Sequence, residues 1–216
     1  MPVGIGTPIG MYIAARINKN HYDESSAVLL ALTEVTNEIF TQSFKYSFQR
    51  NRPYRTLNNV KFTDTSSVRG TFSFPSGHAS GSFAIATSLT LRYPDKPVLI
   101  AGLYAYALTV SLGRIYWGVH YPSDIITGMI VGAGSAALIY SLRKPIIKAK
   151  NNFFNQSGRT ESSNGEVNTT AILLSVIASD MLNSYFINSK SKVLKQSKIN
   201  LTHSSSTNYI NYTYNF

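Results

Sequence analysis

Apolar and polar positions along this chain repeat mainly with the period of a helix. In residues 23–50, Val28, Leu29, Leu32, Val35, Ile39 and Phe40 recur at helical spacing, with Glu34 and Glu38 on another face. Pro53 ends this helix, because the residue before a proline avoids the helical region. The polar stretch 54–74 reads as a loop. Ser76 suits the N-cap of a second helix over 77–92, and Pro94 and Pro97 punctuate the turn that follows it. A third helix is expected over 97–112, then a loop over 113–121, then a fourth helix over 122–142 with Pro122 in its first turn. Residues 1–15 are apolar but rich in Gly and Pro, and read as a helix fragment or a packed leading segment. No internal repeat is visible.

These elements predict an all-α helical bundle in three parts: a leading segment, 1–22, a helical domain, 23–150, and an Asn- and Ser-rich tail, 151–216, mostly irregular. The tail holds one apolar patch, 171–187, broken by Asp180. Its end alternates, with Tyr212, Tyr214 and Phe216 on one side and Thr213 and Asn215 on the other, which suits a strand. A terminal Phe after alternating aromatics is also the pattern of a last outer-membrane barrel strand, but one strand does not make a barrel.

A membrane span needs roughly 20 mostly apolar residues. Segments 79–91, 97–112 and 125–142 are short of that length or borderline. Arg92 and Lys96 mark one turn, and Arg143, Lys144, Lys148 and Lys150 follow the last helix. If the helices alternate up and down, both basic clusters fall on one side, as the positive-inside rule expects. Residues 76–78 and 114–124 then meet on the opposite, non-cytoplasmic (periplasmic) side, joined by Lys45 and Arg52. A soluble bundle packed through Gly128, Gly132 and Gly134 is the alternative.

Composition narrows the partners. The 216 residues suffice for one domain with a core. A net charge of +10 points to an anionic partner. Charged residues make up only 14%, sparse for a nucleic-acid binder, so a membrane or a phosphorylated substrate fits better. A mean hydropathy of -0.04 argues against a chain mostly embedded in lipid. The absence of cysteine excludes disulfides, thiol catalysis and thiolate metal sites. The start lacks the basic head and clean apolar core of a signal peptide.

The candidate chemistry is that of a phosphate. Ser76 and Gly77 open a helix whose free amides and partial positive charge favour an anion, and Gly77 lets it approach the backbone. Arg52 and Arg114 can hold phosphate oxygens in a bidentate way, and Lys45 adds a point charge. Such a set stabilises the charge of a transferring phosphoryl group. Of the two histidines nearby, one must attack phosphorus while neutral and one must protonate the leaving oxygen. Asp124, four residues after His120, can accept from one ring nitrogen and aim the other at phosphorus. That makes His120 the nucleophile and His78 the general acid, with no metal or other cofactor.

Lys45 with Arg52-Pro53, then Pro75-Ser76-Gly77-His78, then Arg114 with His120 and Asp124, resembles the three-part signature of the type 2 phosphatidic acid phosphatase superfamily. That superfamily also includes bacterial acid phosphatases and vanadium haloperoxidases. The resemblance covers about residues 27–142. It implies a helical bundle and metal-free hydrolysis of a phosphomonoester or pyrophosphate through a phosphohistidine. It implies Lys45, Arg52, Ser76, Gly77 and Arg114 as phosphate ligands, with His78, His120 and Asp124 in the roles above. A phospholipid, polyprenyl or small phosphate-ester substrate is expected, with a membrane as partner and no nucleic acid. Two departures stand out: Gly113 replaces the serine usual before the third-motif arginine, and only 44 residues precede Lys45. A soluble acid phosphatase, a vanadate-dependent haloperoxidase and an inactive headgroup-binding remnant are the competing readings.

Taken singly, the other candidates read as structural. His21 and His203 read as surface residues, and Ser111 as packing. Tyr116, Trp117 and Tyr121 read as packing for the loop or as a membrane-interface belt. Lys45, Arg50, Arg52 and Arg55, taken alone, read as a solvated or headgroup-facing patch. The glycosylation pattern at Asn155, Asn168, Asn200 and Asn211 is expected by chance in such a tail.

Overall fold

The structure is a computed structural model that describes residues 2–58, 60, 70–155, 172–178, 197–204 and 207–214. Seven helices follow one another: α1 (Pro2–Ile17), α2 (His21–Phe48), α3 (Pro53–Thr56), α4 (Gly77–Arg92), α5 (Pro97–Tyr116), α6 (Pro122–Ser141) and α7 (Arg143–Phe153). Residues 172–178 are also helical. The contacts divide the chain after Asn183, beyond the expected boundary at 150, because Ile172 and Val176 join the bundle core. The second unit, Ser184–Phe216, contains an antiparallel hairpin of β1 (Ser197–Ser204) and β2 (Thr207–Tyr214), with Ser197 opposite Tyr214. The expectations for Asp180, Asn168 and Phe216, and for the side chains of the hairpin, lie outside the described residues.

The helix limits follow local chemistry. Asn20 caps α2, its side chain accepting from the amides of Tyr22 and Asp23 at 3.1 and 3.2 Å. Ser76 caps α4, and Pro97 and Pro122 stand in the first turns of α5 and α6. The expected loop over 113–121 is shorter than predicted, since α5 runs on to Tyr116 and puts Arg114 in its last turn. Gly118 then takes φ +64, a left-handed turn that leads the chain toward His120. The expected loop over 54–74 begins with α3, and Asn51 bridges Phe72. Residues 61–69 lie outside the described residues.

The orientation of α2 departs from that of a soluble amphipathic helix. Thr33, Asn37 and Thr41 are buried, and Glu34 nearly so, whereas Val35 and Ile39 are 58% and 60% exposed. The apolar stripe faces outward and the polar stripe inward. On α1, Ile5, Ile9, Ile13 and Ile17 form a second outward stripe. Among the described residues, two helices, α5 and α6, are long and apolar enough to cross a membrane, judged by length and composition.

The inward polar stripe of α2 is used. Ser80 of α4 hydrogen-bonds both Asn37 and Thr41, the latter at 3.0 Å. At the same level α6 comes against α4 backbone to backbone. A Cβ on Gly128 would lie 2.6 Å from the Ser76 carbonyl oxygen, and one on Gly132 would collide with that of Ser80. Gly134, one face away, meets nothing within 4 Å. Small residues allow this approach, as they do where helices pack in membranes.

The far end of the bundle is fastened by charge. Lys150 donates to Ser25 at 2.8 Å and lies 3.6 Å from Glu24, while Arg92 donates to Ser26 at 2.8 Å. One residue of each basic cluster, Arg92 and Lys150, thus reaches the start of α2. From Ser26 to Lys45, α2 rises about 28 Å at roughly 1.5 Å per residue, close to the ~30 Å thickness of a bilayer's hydrocarbon core. His21 stands at this end, half-exposed and 3.5 Å from Glu24.

Overpacking a tight helix contact costs about 1–3 kcal/mol. Gly128→Ala and Gly132→Ala should each lower the thermal midpoint, whereas Gly134→Ala should leave it unchanged or raise it through helix propensity. Thermal unfolding of the three purified variants checks this ordering.

Candidate active site

All eight candidate residues gather at one end of the bundle. Lys45 stands in the last turn of α2, and Arg52 just before α3. Ser76 caps α4, with Gly77 and His78 in its first turn. Arg114 ends α5, and His120 and Asp124 flank the start of α6. The Ser76 amide donates to the Asp124 carbonyl at 2.9 Å, so the openings of α4 and α6 are tied to each other.

The centre is His120, 4% exposed. Arg52 Nη1 lies 3.4 Å from His120 Nε2. A guanidinium only donates, so Nε2 is the ring's acceptor and Nδ1 carries the proton. Nδ1 faces Asp124 Oδ2 at 3.6 Å, just beyond hydrogen-bonding range, and makes no hydrogen bond. Asp124 is fully buried. Its Oδ2 accepts from the Tyr121 amide at 2.9 Å and its Oδ1 from Arg50 at 3.0 Å. The result is an imidazole whose Nε2 lone pair points away from its carboxylate partner and toward Arg52.

Those cations are braced by backbone oxygens. Arg52 is buried and also donates to the Val119 carbonyl at 3.1 Å. Lys45 donates to the Pro75 carbonyl at 2.7 Å, tying α2 to the segment that leads into α4. Arg114 lies over the Trp117 ring, 5.1 Å from its centroid. His78 is partly buried and within electrostatic range of Arg114, His120 and Arg52.

This surrounding sets the charge of both imidazoles, which lie outside α5 and α6. Burial, then Arg114 and His120, push His78 down to about 3. Burial, aided by Arg52 and Lys45 and opposed by Asp124, pushes His120 down to about 4. Both rings are neutral at pH 7, and a dianion held beside the cations would raise both.

Arg50 is the residue that sequence reasoning missed. It stands two positions before Arg52 but turns to Asp124 and Ser123. No spacing along the chain signals a contact across 74 positions. Ser111 is fully buried in α5, as packing requires, and Tyr116 and Trp117 are exposed at 88% and 53%. Among the described residues no cluster of His, Asp and Glu could hold a metal ion.

A family model described as the PAP2 superfamily matches residues 26–148, more than half of the chain. The chain belongs to the PAP2 superfamily. It is 38% identical over 71 residues to a lipid A 4'-phosphatase of Bacteroides thetaiotaomicron, covering 33% of this chain and 31% of that protein. It is 31% identical over 106 residues to an undecaprenyl-diphosphatase of Sulfolobus acidocaldarius, covering 49% and 50%. A non-specific acid phosphatase of Salmonella typhi is 26% identical over 160 residues, covering 69% and 63%. The chain thus spans from about a third to just under two thirds of these curated relatives.

The depressed imidazoles carry a pH prediction. The unfolded chain takes up protons near pH 6.5, and the folded chain only near 4 and 3. Between those limits the unfolded state binds more protons, so stability rises with pH and is lost as pH falls below about 6.5. Thermal unfolding at pH 7 and pH 5 should show a lower midpoint at pH 5, and saturating phosphate should narrow the gap. A second expectation concerns Gly113, where a Cβ meets nothing within 4 Å. Gly113→Ser should fold as wild type and bind phosphate about two- to tenfold more tightly, the value of one added hydrogen bond. Titration calorimetry measures that change.

Proposed function

We propose that this PAP2 superfamily member is a metal-independent phosphatase that hydrolyses a lipid phosphate or pyrophosphate through a phosphohistidine. The observation that carries this reading is the His120 ring, with Nδ1 turned to Asp124 and Nε2 turned to Arg52. The names of the relatives support the substrate class, since they include phosphatases of lipid A and of undecaprenyl diphosphate.

In the proposed reaction, Lys45, Arg52, Arg114 and the amides at the start of α4 hold the phosphoryl oxygens. Neutral His120 attacks phosphorus through Nε2, a P–N bond forms and the P–O bond to the leaving group breaks. Asp124 stabilises the positive ring that results. His78 is neutral within range of Arg114 and Arg52. The bound dianion cancels their field and lets His78 take a proton, which it then gives to the leaving oxygen. Water, deprotonated by His78, then attacks phosphorus, breaks the P–N bond and releases phosphate. Substrate binding thus charges the general acid.

The setting is a membrane, with α5 and α6 crossing it and the site on the non-cytoplasmic face. The outward apolar stripes of α1 and α2 favour lipid as their surroundings. Both basic clusters lie at the end opposite the site, as the positive-inside rule asks of the cytoplasmic side.

Phosphate release by detergent-purified protein tests the reaction. The panel is phosphatidic acid, phosphatidylglycerol phosphate, undecaprenyl pyrophosphate and p-nitrophenyl phosphate, all with EDTA. Release should persist in EDTA and fall by at least about a thousandfold in His120→Ala, the scale seen when a catalytic nucleophile is removed. Release that needs a divalent metal, or that survives in His120→Ala, would sink the mechanism.

A further inference from the structure

Arg50 belongs to none of the three motifs, yet it is built into the pair formed by His120 and Asp124. Its Nη1 donates to Asp124 Oδ1 at 3.0 Å and to Ser123 Oγ at 2.7 Å. Its guanidinium carbon lies 3.9 Å from the centroid of the Tyr121 ring, a stacking distance. The ring is itself held, because the Tyr121 hydroxyl is hydrogen-bonded to Thr56 of α3 at 2.6 Å. The plane of the guanidinium is thus defined by a ring on one side and two oxygens at its edge.

The Arg50 side chain is 39% exposed and that of Asp124 is fully buried. Solvent screens the attraction on the arginine side, so the ion pair is a weak source of stability. Its geometric effect is larger. Asp124 Oδ2 is fixed by the Tyr121 amide and faces His120 Nδ1. A carboxylate held by one donor can still rotate about its bond to Cβ. A second donor on Oδ1 removes that freedom.

We infer that Arg50 is a positioning residue that locks the Asp124 carboxylate so that Oδ2 stays turned to His120 Nδ1 and Nε2 keeps its lone pair. The catalytic consequence rests on the proposed role of His120 as nucleophile; the structural one does not.

The test uses the full chain in detergent, with nitrogen-15 in its four histidines. The His120 signals are assigned by their loss in His120→Gln. Ring-nitrogen shifts report the tautomer and the facing acceptor. In Arg50→Ala they should move toward the values of Asp124→Asn, and in Arg50→Lys only part of the way. With p-nitrophenyl phosphate, Arg50→Ala should lower kcat about tenfold or more, as loss of a residue that orients a ligating or catalytic group does, with KM within about twofold. In the Asp124→Asn background, Arg50→Ala should cost little further.

Two results would overturn the inference. One is wild-type His120 shifts in Arg50→Ala when Asp124→Asn moves them. The other is an equal loss of kcat with and without Asp124. If Arg50→Ala does not fold, Arg50→Gln and Arg50→Lys carry the same comparison. If the wild type releases no phosphate, the nitrogen shifts still decide the positioning role, and the phosphatase reading alone fails.

Discussion

Everything at the site depends on how closely α6 approaches α4. Gly128 and Gly132 bring the two backbones together, and the Ser76 amide closes the contact on the Asp124 carbonyl. One helix opening carries His78 and its cap, the other carries Asp124. Two short stretches far apart in the chain thus become neighbours because of missing side chains rather than added ones. Ser80 then draws in α2 through Asn37 and Thr41, and with α2 comes Lys45.

The second organising constraint is electrostatic. Arg52, Lys45 and Arg114 crowd a partly enclosed space, and the two imidazoles among them are held neutral. This costs stability at acid pH, since protons that the unfolded chain accepts are refused by the folded one. In the proposed reading the same field that expels protons would attract a phosphate. Stability and anion affinity are therefore coupled through the same charges. Among the described residues, the fully buried Asp124 is the carboxylate bonded within this cluster, and Arg50 and the Tyr121 amide occupy both its oxygens.

Much of the architecture was legible from local chemistry. Ser76, Pro97 and Pro122 mark helix starts because caps and prolines act on adjacent residues only, whereas the short helix that Pro53 opens was read as loop. The grouping of Lys45, Arg52, His78, Arg114, His120 and Asp124 was legible because each falls at a helix end, and alternating helices put those ends on one side. The face of α2 was not. Its periodicity separates an apolar stripe from a polar one but does not say which is inside. That depends on what surrounds the helix, and here Asn37 and Thr41 find partners inside while Val35 and Ile39 face out.

By itself, the sequence determined the helices α2, α4, α5 and α6, the residue types at their ends and the separation of basic clusters from the candidate site. These follow from short-range backbone preferences and from residue types. Tertiary structure alone decided that Arg50 reaches Asp124 rather than solvent, that Gly132 rather than Gly134 carries the helix contact, and that residues 172–178 join the core. Each of these is a meeting between positions distant in the chain, and spacing along one segment holds no information about which distant segment lies against it.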